Sequence, residues 1–315
     1  MQSASLDDSV MLCQPLLVTI MFTKIKFQPH NTAILDRAVN YMSAQTRGAG
    51  GSGEPTTSHM ISFLDLISAI FDNQLDGLEG YIHQYDPDTL TLDILKNQTF
   101  DETVHQSAMA LIGHLFKAAN QRMTSHIDDV IRIASRLLQS KSLTVKNNTL
   151  WALGIMAQHL DGKNEALFSM VNELTEFILD LQGDQGVIIN AALVLTSLSA
   201  RWPEVFIRVV AKDDMFTHLF ALMQTDFPQD NAHVEIFINL CDTLKEHIDK
   251  VKPELWVHFC VASITLPFDH PELNTKIKRL LKDVRTSVGQ GTWGKINGKM
   301  GKQMSTNLRK KFKLY

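Results

Sequence analysis

A chain of 315 residues with 44% hydrophobic and 20% charged content has enough apolar material for a sizeable core, which excludes a disordered or fibrous protein. Its net charge of −4 is uneven: seven cations and no acid follow Asp283 from Lys295 to Lys313, so residues 1–293 carry −11. Such a body attracts basic partners and repels nucleic acid. No basic-flanked apolar leader is visible, and no apolar run reaches the ~18 residues of a bilayer span, which argues against secretion and membrane insertion. Cys13, Cys241 and Cys260 are odd in number and outside CxxC spacing, so they read as reduced thiols of a cytosolic or nuclear protein.

In chain order, the first predicted helix, Asp7 to Phe22, is already strongly apolar and offers no polar capping face. The expectation is that the array continues beyond it and that the chain is a fragment or a truncated gene product. A helix over residues 31–43 follows, then a flexible loop over 43–58 that is too rich in Gly, Ser and Thr to bury anything. Beyond it, apolar residues recur at three- and four-residue steps, as in Met60, Phe63, Leu64, Ile67; Leu111, Leu115; Leu150, Leu153, Met156; and Phe237, Leu240, Leu244. Between these helices lie others over 88–98, 124–138, 164–181, 204–224 and 253–265, with Ser125 as the expected cap of the helix over 124–138. Two-residue alternation is absent, and breakers such as Pro203, Pro253, Pro267 and Pro271 fall between periodic stretches.

Laid in register, one helix of each pair carries a small residue among aliphatic ones: Ser68, Gly113, Gly154, Thr196 and Cys241, at steps of 45, 41, 42 and 45. That period matches HEAT or armadillo units of ~40 to 47 residues, which bury their apolar faces only by stacking. The reading is an all-α solenoid of HEAT repeats over residues 1–315, in which the small residue allows close helix crossing. The register decays after Pro271, since Lys282 stands where a small residue is due, and residues 289–315 read as a basic C-terminal cap.

Motifs for catalysis are missing. The GxGxxG match at Gly289–Gly294 follows a helix, not a strand, and reads as a glycine-rich turn. The twelve histidines include no HExxH and no pairing with cysteine at zinc spacing. No serine, cysteine or histidine arrangement marks a nucleophile, so the expectation is a non-enzyme with no cofactor and no metal.

Two columns repeat instead. Three residues before each small position stand Asp65, Ala110, Trp151, Leu193 and Ile238; six before stand Ser62, Ser107, Asn148, Asn190 and Glu235. Spaced three apart, they share one helical face. Amides suit the backbone of an extended peptide, Trp151 and Leu193 its apolar side chains, and Asp65 with Asp72 its basic ones. The competing reading makes Trp151 a core residue, Asn148 and Asn190 glue between repeats, and the aspartates a solvated face.

The run Val145 to Gly154, VKNNTLWALG, resembles the NNxxWAxG helix of the transportin family of karyopherin-beta import receptors. His59 to Ser68 is similar to that family's LDLLSG helix, Ser107 to Gly113 to its SFALLGD helix, and Asn190 to Leu193 falls in line. The resemblance covers most of the chain, and is specific around Trp151 but weak before residue 55 and beyond Arg201. It implies a receptor shuttling between cytoplasm and nucleus that binds extended, basic, disordered PY-type nuclear localisation signals on a concave acidic face. The implied cargo-binding residues are Ile61, Asp65, Asp72, Leu143, Asn147, Asn148, Trp151, Asn190 and Leu193. His114 joins them as a departure, because it replaces a family aspartate and removes an attraction for cations. The resemblance places the grip on the Pro-Tyr dipeptide, and the contacts to the GTPase Ran and to nucleoporins, in upstream repeats that are missing here. The alternatives are a structural HEAT scaffold holding folded partners, and nucleic-acid binding by Lys295 to Lys313. Against the latter stands a simpler role for the tail, neutralising helix-end carbonyls.

Overall fold

The computed structural model describes residues 28–46, 57–72, 78–160, 162–180, 184–224, 231–266 and 269–314, with side chains left undescribed at 28–34, 78–79, 223–224 and 231–233. The predicted helix Asp7 to Phe22 and Cys13 lie outside them. So does the centre of the predicted loop over 43–58, but its edges do not: Ser43 to Thr46 close one helix and Thr57 and Ser58 open the next. The chain divides into two units, residues 1–161 and 162–315.

In the first unit the helices are α1 (Gln28–Thr46), α2 (Thr57–Asp72), α3 (Leu78–Tyr85), α4 (Pro87–Lys96), α5 (Glu102–Ala118), α6 (Ile127–Leu137) and α7 (Leu143–Gln158). Helices α2, α5 and α7 pack side by side as one row, and α1, α4 and α6 back them as a second row, one from each row per repeat. The apolar steps in the sequence face the seam between rows: Leu64, Ile67, Leu111, Leu115, Leu150 and Leu153 are all buried. Helix entries are fixed by polar caps. Asp101 accepts from the backbone N–H of Thr103 at 2.8 Å to open α5, and Ser142 from that of Val145 at 3.4 Å to open α7.

Ser125 does not cap α6 as the sequence suggests. It falls in a 3₁₀ turn (Thr124–His126), its hydroxyl donates backward to the Arg122 carbonyl at 2.9 Å, and α6 starts at Ile127.

The second unit holds α8 (Val171–Leu179), α9 (Gln185–Arg201), α10 (Asp213–Gln224), α11 (Asn231–Glu246), α12 (Leu255–Thr265), α13 (Pro271–Met300) and α14 (Lys302–Phe312). Here α9, α11 and α13 form one row, with α8, α10 and α12 behind. The helix expected over 204–224 is broken: a π-helical turn spans Phe206–Val210 before α10 begins. Gly289, at φ 76°, kinks α13, and the rest of the GxGxxG segment is helical, so no phosphate-cradling loop forms there. Lys311 donates to the carbonyls of Ser263 and Ile264 at 2.9 and 3.3 Å, in the last turn of α12, the helix-end role read for the basic tail. Cys241 and Cys260 are buried with free thiols; burial pushes both up in pKa, Cys260 to about 12, which leaves little thiolate for reaction.

Candidate functional site

The row α2–α5–α7 brings together side chains from three successive repeats. Leu143, Asn147 and Trp151 sit at four-residue steps on α7, so they climb one drifting face of the helix. Leu143 is 52% exposed. Trp151 is half-buried. Its six-membered ring lies against Gly113 of α5 so closely that a methyl group there would come within 2.2 Å of Cζ3. The small residue at position 113 thus seats an indole from the next repeat, beyond the helix approach expected of it.

Around that indole the sequence places an acid, a histidine and a lysine. The His114 ring stands 4.9 Å from the Trp151 ring, centroid to centroid, and Lys117 Nζ lies over the indole at 5.0 Å. Both reach across to α2. His114 Nδ1 is 3.2 Å from Asp72 Oδ1, a close polar contact, and Lys117 Nζ is 3.6 Å from the same oxygen. His114, then Lys117, hold the Asp72 carboxyl below its ordinary value. Asp72 is nonetheless 54% exposed at its side chain, so it keeps a solvent face.

Asp65 behaves differently. Two turns back along α2, it is mostly buried with the Ser107 hydroxyl of α5 as polar partner, and burial raises its pKa. It is therefore a poorer acceptor for an incoming cation than the sequence column suggests. Ile61, one turn before it, is half-buried. Asn148 donates to the backbone carbonyl of Gln106 on α5 at 3.2 Å, a link between repeats 42 residues apart, and Asn147 beside it is half-buried.

Asn190 and Leu193 belong to the second unit and to its interior. Leu193 is fully buried and Asn190 is 7% exposed, on a helix packed between α8 and α11. The expectation that they present side chains to a bound segment is corrected on that ground: sealed side chains offer a partner no surface. In the same unit, Asn239 donates to Ser197 Oγ at 3.2 Å, another amide tying one repeat to the next.

Among the described residues no group of three or more His, Cys, Asp or Glu side chains is placed to hold a metal ion, and no helix is long and apolar enough to cross a membrane.

No model of a protein family matches the chain. Individual relatives do. It is 22% identical over 284 residues to a transportin of Dictyostelium discoideum, covering 84% of this chain and 28% of the relative. It is 24% identical over 283 residues to transportin-1 of Mus musculus (86% and 30%), and 24% over 248 residues to transportin-1 of Homo sapiens (77% and 26%). This chain is transportin-like.

The transportin-like chain spans less than a third of the length of these relatives. In fold it matches a designed armadillo repeat protein with a TM-score of 0.53 at 16% identity, over 79% of this chain and 99% of the other. An engineered protein matches with a TM-score of 0.51 at 15% identity, over 78% and 96%. The molecule is a divergent, karyopherin-like α-solenoid of armadillo/HEAT-type repeats. Sequence reasoning passed over Lys117, which contacts both the Trp151 ring and Asp72. Its position was visible as the residue three after His114 on the same helical face.

Proposed function

We propose that this transportin-like chain receives an extended basic segment of a cargo protein, a nuclear localisation signal of the PY type, along the row α2–α5–α7. Trp151 carries the reading. A half-buried indole, seated on Gly113 and linked to Asp72 through Lys117 and His114, with the exposed Leu143 two turns away on the same helix, offers an apolar and an anionic anchor. Disordered segments bind through a few such anchors because each must offset the entropy of ordering the chain around it. The −11 carried by residues 1–293 adds long-range attraction for a basic segment. Such a chain would be used in transport between cytoplasm and nucleus, with Ran and nucleoporins engaged through other repeats.

The test is a fluorescence-anisotropy titration of a labelled basic, PY-containing peptide against the chain and against Trp151→Ala. The substitution should weaken binding by ~2 kcal/mol, roughly thirtyfold, with helical circular dichroism unchanged. Raising the salt should weaken binding as well. Equal affinity of a folded Trp151→Ala would remove the indole from the site and favour the second reading, a scaffold for folded partners. That reading has its own support: the buried Asn190 and Leu193, and the inter-repeat amide links of Asn148 and Asn239, assign much of the repeated columns to packing.

A further inference from the structure

We infer that the cation seat formed by Trp151 and Asp72 is occupied by the chain's own Lys117, which an incoming basic side chain must displace, so that an arginine gains from binding there and a lysine does not. The inference rests on the proposed function and adds a rule for which basic segments bind. Lys117 Nζ makes both contacts a ligand cation would make: it lies over the indole at 5.0 Å and 3.6 Å from Asp72 Oδ1. The three residues come from three successive repeats, so the seat exists only in the stacked structure.

Neither internal contact is strong. Lys117 and Asp72 are 37% and 54% exposed at their side chains, so water screens the pair, and a solvent-accessible cation–π contact adds little. The internal lysine is a ligand that can be displaced. Replacing it with a lysine from a partner exchanges like for like, and the gain at this seat is close to nothing. An arginine does better. Its planar guanidinium can stack on the indole while two N–H groups address the carboxylate, and it sheds water more readily than an ammonium. Competition with Lys117 thereby subtracts the same amount from either ligand and leaves arginine a net gain that lysine lacks. His114 takes up another approach to Asp72 Oδ1, at 3.2 Å, and its ring stands 4.9 Å from the indole, so an incoming cation shares the carboxylate with it.

Two peptides of identical length test the proposal, one with arginine at every basic position and one with lysine, titrated into the intact chain, Lys117→Ala and a control, Lys212→Ala, which removes an exposed charge in the second unit. In the unaltered chain the arginine peptide should bind about fivefold tighter. Lys117→Ala should tighten the lysine peptide by about threefold or more, and by more than Lys212→Ala does. Equal binding of the two peptides to the unaltered chain overturns the inference while sparing the proposed function. So does an equal response to Lys117→Ala and Lys212→Ala, which would mark a general charge effect. Failure of both peptides to bind any form sinks the proposed function along with it. Acrylamide quenching gives a readout without ligand. Trp202, Trp256 and Trp293 are buried, so quenching reports mainly on Trp151, and Lys117→Ala should raise it. Unchanged quenching means that the lysine does not cover the ring.

Discussion

Two clusters in the first unit each set an aspartate against a histidine and a long basic side chain, for opposite ends. At the edge of α4, Asp88 accepts a hydrogen bond from Arg122 Nε at 2.7 Å and lies 3.1 Å from His126 Nε2, while Arg122 also reaches Asp86. On the row α2–α5–α7, Asp72 meets His114 and Lys117. The first carboxylate is 1% exposed and the second 54%. Burial pushes the Asp88 carboxyl up, but the hydrogen bond and charge of Arg122, with help from His126, outweigh it and hold it below its ordinary value. Out of water a charge cannot release its partner, whereas a half-solvated one can exchange it. Asp88 locks neighbouring repeats together; Asp72 offers a place where one cation can replace another.

The contrast can be broken at its strongest point by Arg122→Ala. This leaves a buried carboxylate without its main partner and should cost about 3–5 kcal/mol, a fall in melting temperature of roughly 10 °C. A melting temperature within a degree or so of the parent would show that Asp88 is not a lock. The same variant should change the acid dependence. The stability due to a depressed carboxyl is fully present above its unfolded pKa of ~3.9 and is lost as pH falls through the lower folded value. Melts taken from about pH 6 to about pH 3 should therefore be flatter for Arg122→Ala than for the parent chain.

At the open cluster the effects should be smaller. Gly113→Ala forces a methyl into the indole and should displace Trp151, at about 1–3 kcal/mol less the gain from alanine's helix propensity. Raised acrylamide quenching would report the displaced ring, and quenching equal to the parent's would mean that the indole is not seated there. The smallest effect is expected at Asp65. Its folded pKa is raised by burial, so its charge costs stability at neutral pH, and the cost disappears as pH falls through that value. Asp65→Asn should accordingly raise the melting temperature slightly at neutral pH, by under ~1 kcal/mol, with no difference in acid. A lower melting temperature at neutral pH would show the carboxylate to be stabilising as a charge.

Much of the architecture was legible in the residues. The period of 41 to 45 between Ser68, Gly113, Gly154, Thr196 and Cys241 found one helix per repeat, and each of those five lies on a helix of the small-residue rows α2, α5, α7, α9 and α11. Helical periodicity and stacking are written into nearest neighbours along the chain, because an apolar face repeated every three to four residues has few ways to be buried. The helical offsets also place Trp151 and Asp72 on the row that carries the small residues.

Only the tertiary structure decided which of the columned residues meet solvent and which partners they choose. Leu193 and Trp151 hold equivalent positions in the repeat, yet one is sealed and the other is half-open. Asp65 and Asp72 are two turns apart on α2, yet only one pairs with cations. Offsets along a helix fix the direction of a side chain. What waits for it there depends on the packing of residues some 40 positions away, which no local pattern records.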